Sequence, residues 1–99
     1  MNDKFILEGQ KVVPCENLLQ WAKWMESADR AVAKDSIGGS EVSTVFLGLD
    51  HSFVEGGPPL VFETVVFDGE FDGEMDRYST WDEAVKGHNS MVEKVKGNI

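Results

Sequence analysis

Basic residues are scarce in this chain: nine lysines and arginines stand against eighteen aspartates and glutamates, a formal charge of −9 at pH 7. Such a balance repels nucleic acid and anionic membranes, so no direct binding to either is expected. The partners that suit it are cationic surfaces, metal ions or neutral grooves. Cysteine is nearly absent too. The single thiol, Cys15, cannot close an internal disulfide and lacks a second thiol for a zinc-binding pair. Long hydrophobic runs are missing. The first apolar run, Phe5-Ile6-Leu7, is too short for a signal peptide, and no stretch approaches a membrane span. A reducing cytoplasm is the expected location. There is no Gly-x-Ser-x-Gly. Neither Gly38-Gly39 nor Gly56-Gly57 leads into Gly-Lys-Ser/Thr, so a nucleophile elbow and a phosphate loop both lack support.

What is present is enough apolar material for one modest core: 41% hydrophobic residues in 99 positions, read as a single domain over 1–99. Phe5-Ile6-Leu7 and Lys11-Val12-Val13 predict a hairpin turning at Gly9 and stopped by Pro14. From Glu16 the period becomes helical, with Leu18, Trp21, Ala22 and Met25 on one face, ending near residues 27–29. Arg30 to Ile37 reads as a weak strand, Ser43 to Phe53 and Leu60 to Phe67 as strong ones, and Arg77-Tyr78-Ser79 as a short last one. Val54 to Pro59 is a loop. Thr80 and Glu83 have capping-box spacing, and Trp81, Val85, His88, Val92 and Val95 make the stripe of a second helix closed by Gly97. The order β-β-α-β-β-β-(β)-α predicts an α+β class: a single antiparallel sheet of about four to six strands carrying two helices.

The two strong strands are apolar on both faces. Pairing Phe53 with Val61 sets Leu47, Leu49, Val65 and Phe67 together, and this odd-numbered set is expected to meet the helices. Phe46, Phe62 and Val66 then fall on the opposite face, either covered or forming a patch for a homodimer.

The run Ser43-Thr44-Val45-Phe46-Leu47-Gly48-Leu49-Asp50-His51, with Pro58-Pro59-Leu60-Val61-Phe62-Glu63-Thr64, Tyr78-Ser79-Thr80-Trp81-Asp82-Glu83-Ala84 and Gly87-His88, resembles a family of small uncharacterised bacteriophage and prophage proteins. The resemblance spans roughly Trp21 to Met91 and implies a phage origin and a compact fold. It implies no activity and transfers no catalytic residue.

Three groups of residues carry candidate chemistry. In the register above His51 lies opposite Glu63, His88 projects toward the same side, and Asp50 is adjacent. Two imidazoles and one or two carboxylates suit a metal site or an acid–base pair, and equally a buried polar network that satisfies its own members. The second group is the acidic ribbon Asp68, Glu70, Asp72, Glu74 and Asp76. It suits a solvated hairpin tip, a basic partner approached by mimicry of spaced phosphates, or, less well, a calcium loop: residue 70 is Glu, and Ser79 stands where the bidentate Glu belongs. The third is Trp24, off-centre on the first helical stripe, either core or an exposed partner anchor.

These residues support a non-enzymatic, cofactor-free acidic binding protein that modulates a host or defence protein with a basic surface. The alternatives are a self-associating accessory phage protein and a small metal-dependent enzyme built on His51, Glu63 and His88.

Overall fold

A computed structural model describes residues 2–52 and 56–97. The elements are β1 (Phe5–Glu8), β2 (Lys11–Pro14), α1 (Leu18–Ser27), β3 (Ala31–Ile37), β4 (Ser40–Phe46), β5 (Phe62–Phe67), β6 (Met75–Tyr78) and α2 (Trp81–Lys96). The α+β class and the element order agree with the sequence, but the strands form two antiparallel sheets rather than one. β1 and β2 stand alone as a hairpin, and β3-β4-β5-β6 form a meander. No helix among the described residues is long and apolar enough to cross a membrane.

Local chemistry accounts for the ends of the elements. Gly9 turns the hairpin at φ 62°. The Asn17 side chain accepts from the Gln20 amide and starts α1, one residue after Glu16. Thr80 and Glu83 form the reciprocal capping box that starts α2, and Gly97 caps its end.

α2 packs across all four strands of the meander. It covers the face that carries Val42, Thr44 and Phe46 of β4 and Phe62, Thr64 and Val66 of β5, all fully buried. Near the C-terminal half of α2, Ile37, Val42 and Val66 meet Met91, Val92 and Val95. Near its N-terminus Phe46, Val61, Phe62 and Ala84 form a second cluster, closed by Phe5, Leu7, Val12, Trp24 and Trp81. The hairpin and α1 thus extend the helical layer. The shortest dimension of the molecule is 20 Å, the thickness of one helix layer on one sheet.

The expected inside and outside of the sheet are therefore exchanged. Phe46, Phe62 and Val66 are core; of the odd-numbered set, Val65 and Phe67 lie on the outer face, with Phe67 48% exposed, and Leu47 and Leu49 fall beyond the end of β4. The register differs as well: Val42 pairs with Val66, Thr44 with Thr64, and Phe46 with Phe62. The strand also ends early. Gly48 sits at φ 76°, and β4 stops at Phe46. The Gly48 carbonyl instead accepts from the Phe5 amide at 2.9 Å and from Trp21 Nε1 at 3.0 Å. The second half of the apolar run is thus spent joining the meander to the hairpin and α1. A Cβ at residue 48 would collide with Met25 of α1. Phe53, the expected partner of Val61, lies outside the described residues.

Two phenylalanines separate the two arrangements experimentally. Phe46→Ala should destabilise the protein by about 3–5 kcal/mol, as expected when a large buried ring is removed. Phe67→Ala should cost under about 1 kcal/mol, as for other exposed sites. Urea unfolding followed by tryptophan fluorescence measures both, and the reverse ranking would restore the odd-numbered core.

Candidate functional site

The sheet and α2 enclose one connected polar chain. Thr44 and Thr64 are cross-strand partners, and their hydroxyls lie 2.5 Å apart. Thr44 Oγ1 lies 2.7 Å from His88 Nδ1, and His88 Nε2 lies 2.7 Å from Asp35 Oδ2 on β3. A carboxylate can only accept, so Nε2 carries the hydrogen and Nδ1 is left to accept from the Thr44 hydroxyl. Thr44 in turn accepts from Thr64. His88 is 1% exposed, whereas the Asp35 side chain is 55% exposed, so the chain runs from the dry interior to solvent.

Threonine, histidine and aspartate are also the components of a nucleophile, its base and an orienting acid. Here Thr44 is fully buried, and its hydroxyl is not presented to a substrate. What this geometry does is satisfy every polar atom along it and lock β3, β4, β5 and α2 into one register.

Beside this chain sits Tyr78, packed against Gly87, where any Cβ would strike the ring. The phenol oxygen is buried and has no hydrogen-bond partner among the described residues. Thr64 is close enough to ease its ionisation slightly, but burial outweighs this and raises its pKa above 10.0.

The expected constellation of His51, Glu63 and His88 is not assembled. Glu63 projects from the outer face and pairs with Arg77 Nε at 3.0 Å, its cross-strand partner. His51 sits beyond the end of β4, with Nδ1 2.9 Å from the Leu49 carbonyl. Asp50 clamps the following loop, its Oδ1 accepting from the amides of Ser52 at 2.8 Å and Leu60 at 2.9 Å. Of the four, only His88 enters the buried chain. Its partners Thr44 and Asp35 were not singled out from the sequence. Their signal was a buried imidazole that needs a donor and an acceptor, with polar residues spaced by two on β4. Among the described residues no three His, Cys, Asp or Glu side chains are placed to share a metal ion.

The acidic ribbon is not extended. Residues 68–73 form a compact turn, with the Asp68 amide donating to Asp72 Oδ1 at 2.6 Å and Ser40 Oγ donating to the Asp68 carbonyl at 3.0 Å. Gly73 and Glu74 donate to the carbonyls of Val66 at 2.8 Å and Phe71 at 3.0 Å. Phe71 folds back against the Ile37–Val42–Val66 cluster, with Lys94 Nζ 5.2 Å from its ring centre. The evenly spaced row thus becomes three groups. Asp68, Glu70 and Asp72 are exposed on the turn, Glu74 is ion-paired with Lys94, and Asp76 lies opposite Thr64 on β6. Asp68 and Asp72 form no ion pair among the described residues.

Trp24 is half-buried and meets Phe46 edge-on at 5.7 Å. The most exposed apolar side chains of α1 are instead Leu18 and Leu19, at 63% and 67%. A groove of about 620 Å³ opens between the hairpin and the start of α2, walled by Phe5, Val12, Pro58, Pro59 and Trp81. None of the candidate site residues lines it.

Two outcomes test the polar chain. Thr44→Val should cost about 1–3 kcal/mol because it leaves His88 Nδ1 without a donor, whereas Thr44→Ser should cost less. Tyr78 is the only tyrosine, so tyrosinate absorbance reports it alone. The folded phenol should titrate above 10.0. A raised pKa favours the neutral form, so its contribution to stability is complete below about pH 10 and is lost as the pH rises further. A midpoint at or below the free value would contradict the burial of Oη. Comparison of the chain with protein-family models, curated proteins and solved structures finds no match.

Proposed function

We propose that this is a small acidic binding protein that engages a basic surface on another protein through the tip between β5 and β6, without performing chemistry. The observation that carries this is the order of the tip. Asp68, Glu70 and Asp72 are presented on a turn pinned by its own backbone, by Ser40 and by Phe71 in the core. A solvated acidic loop needs none of these constraints. Preorganised charge loses little entropy when a cationic partner binds, and an excess charge of −9 steers the encounter.

The resemblance to small phage proteins favours a host or defence protein as the partner, and an infected cell's cytoplasm as the setting. Because the acids are clustered on a turn rather than spread along a ribbon, imitation of evenly spaced phosphates is the weaker form of this reading. A cationic patch that grips a compact anion fits better.

The test keeps the shape and removes the charge. Asn tolerates the positive φ of 67° at Asp68, and Asn at residue 72 can still accept from the Asp68 amide. Immobilised protein should capture basic proteins from a bacterial lysate at about 50 mM NaCl and release them by about 300 mM, as screening requires. The variant Asp68→Asn, Glu70→Gln, Asp72→Asn should lose at least tenfold in capture with its unfolding midpoint preserved. Equal capture by the folded variant would refute the assignment to the tip.

A further inference from the structure

The outer face of the meander has no element packed over it among the described residues. Across its centre run Ser43 and Val45 of β4, Val65 and Phe67 of β5, and Met75 of β6, with Val65 directly opposite Met75. Phe67 and Met75 are 48% and 47% exposed. Around this apolar strip stand two ion pairs, Lys34–Glu41 at 3.3 Å and Glu63–Arg77 at 3.0 Å. The face therefore carries two positive and two negative charges and sums to zero, while the chain as a whole carries −9.

We infer that this face is where two copies of the chain associate. The rest of the surface carries the whole negative excess, and like charge keeps molecules apart. The outer face adds no local repulsion to that of the two net charges. It also supplies both signs of charge in equal number, so each copy can offer the other an opposite partner. Its polar groups are already paired with one another, which lowers the cost of taking them out of water. The occupant is thus a second copy, because the charge balance is self-complementary. A strongly basic partner would instead gain by docking on the acidic tip.

The size of the face sets the strength. Four strands about 4.8 Å apart and about five residues long, at 3.3 Å each, make a footprint of roughly 320 Å². Stable complexes bury about 800 Å² on each side. The dimer should accordingly be weak, with half-association on the order of 100 µM. Salt gives it a distinctive sign. Screening weakens the repulsion between the two −9 molecules, so association should strengthen between about 20 and 300 mM NaCl. Binding of a basic partner at the tip should weaken over the same range, so the two proposals fail separately.

Sedimentation of the whole chain from about 20 µM to 1 mM, concentrations that bracket the expected association, should show the weight-average mass rising from 11.0 kDa toward twice that value. The rise should be larger at the higher salt. Phe67→Lys with Met75→Lys should hold the protein monomeric throughout. This change makes the chain less negative, so lost association cannot be ascribed to a larger net charge. Leu18→Lys with Leu19→Lys, an equal charge change on α1, should leave the dimer intact. Amide chemical shifts of the unaltered protein on dilution give an independent readout: Ser43, Val45, Val65, Phe67 and Met75 should move most. A monomer at 1 mM and high salt, a dimer indifferent to the lysines at 67 and 75, or dilution shifts centred elsewhere would each overturn the inference.

Discussion

Burial of the Thr44–Thr64 pair between two apolar pairs governs this fold. Val42 with Val66 on one side and Phe46 with Phe62 on the other are driven under α2 by loss of contact with water. The threonines between them are buried with them, and buried hydroxyls need partners. They find each other, then His88, and His88 finds Asp35. One hydrophobic event thereby forces a polar chain that crosses three strands and a helix. Apolar packing alone tolerates sliding of a helix over a sheet. This chain does not, because a shift of α2 by one residue leaves the Thr44 hydroxyl without its acceptor and a buried imidazole unsatisfied.

The parts of the fold legible in the sequence are those set by local chemistry. Thr80 and Glu83 announce the capping box, Gly9 the hairpin, and the 3.6-residue stripe of Trp81, Val85, His88, Val92 and Val95 the second helix, although Val85 proves to be exposed. The choice of inner face was less legible, because both parities of β4 and β5 carry large apolar residues. A usable signal did exist. The odd parity holds Glu41, Ser43, Glu63 and Arg77, whereas the even parity of the central strands holds no charged residue, only Ser40 at one end and the two threonines. Two threonines can satisfy each other in a dry interior, but Glu41 and Glu63 cannot. Weighing polar residues rather than apolar ones would have identified the core.

The misplaced candidate site follows from the register, which pairs Glu63 with Val45, and from one residue. Read as continuous, the strand from Ser43 to Phe53 carries His51 to Glu63. The strand is broken at Gly48, whose positive φ and doubly used carbonyl tie the meander to the hairpin and α1. A glycine inside a strand pattern signals a break or a close approach, and Gly48 is both. His88 was legible because its position depends on helical spacing, which Gly48 does not disturb. Asp35 was not, because its place beneath α2 depends on the long-range packing of β3, where it lies opposite Val42, and not on helical spacing.

The same core explains how a chain so rich in acid can hold three carboxylates on one short turn. Asp68, Glu70 and Asp72 repel one another, and an unrestrained loop would relax by spreading them apart. Here Phe71, between the second and third acids, is held in the cluster of Ile37, Val42 and Val66, and Lys94 from α2 lies over its ring. Ser40, at the start of β4, binds the Asp68 carbonyl from the neighbouring strand. Each restraint originates in an element that the polar chain has already placed: β4 through Thr44, α2 through His88. Core packing thus holds the shape of the turn. Asp68 and Asp72 are ordered and form no ion pair among the described residues. A surface held this way is shaped before any partner arrives, which is what the proposed binding at the tip requires.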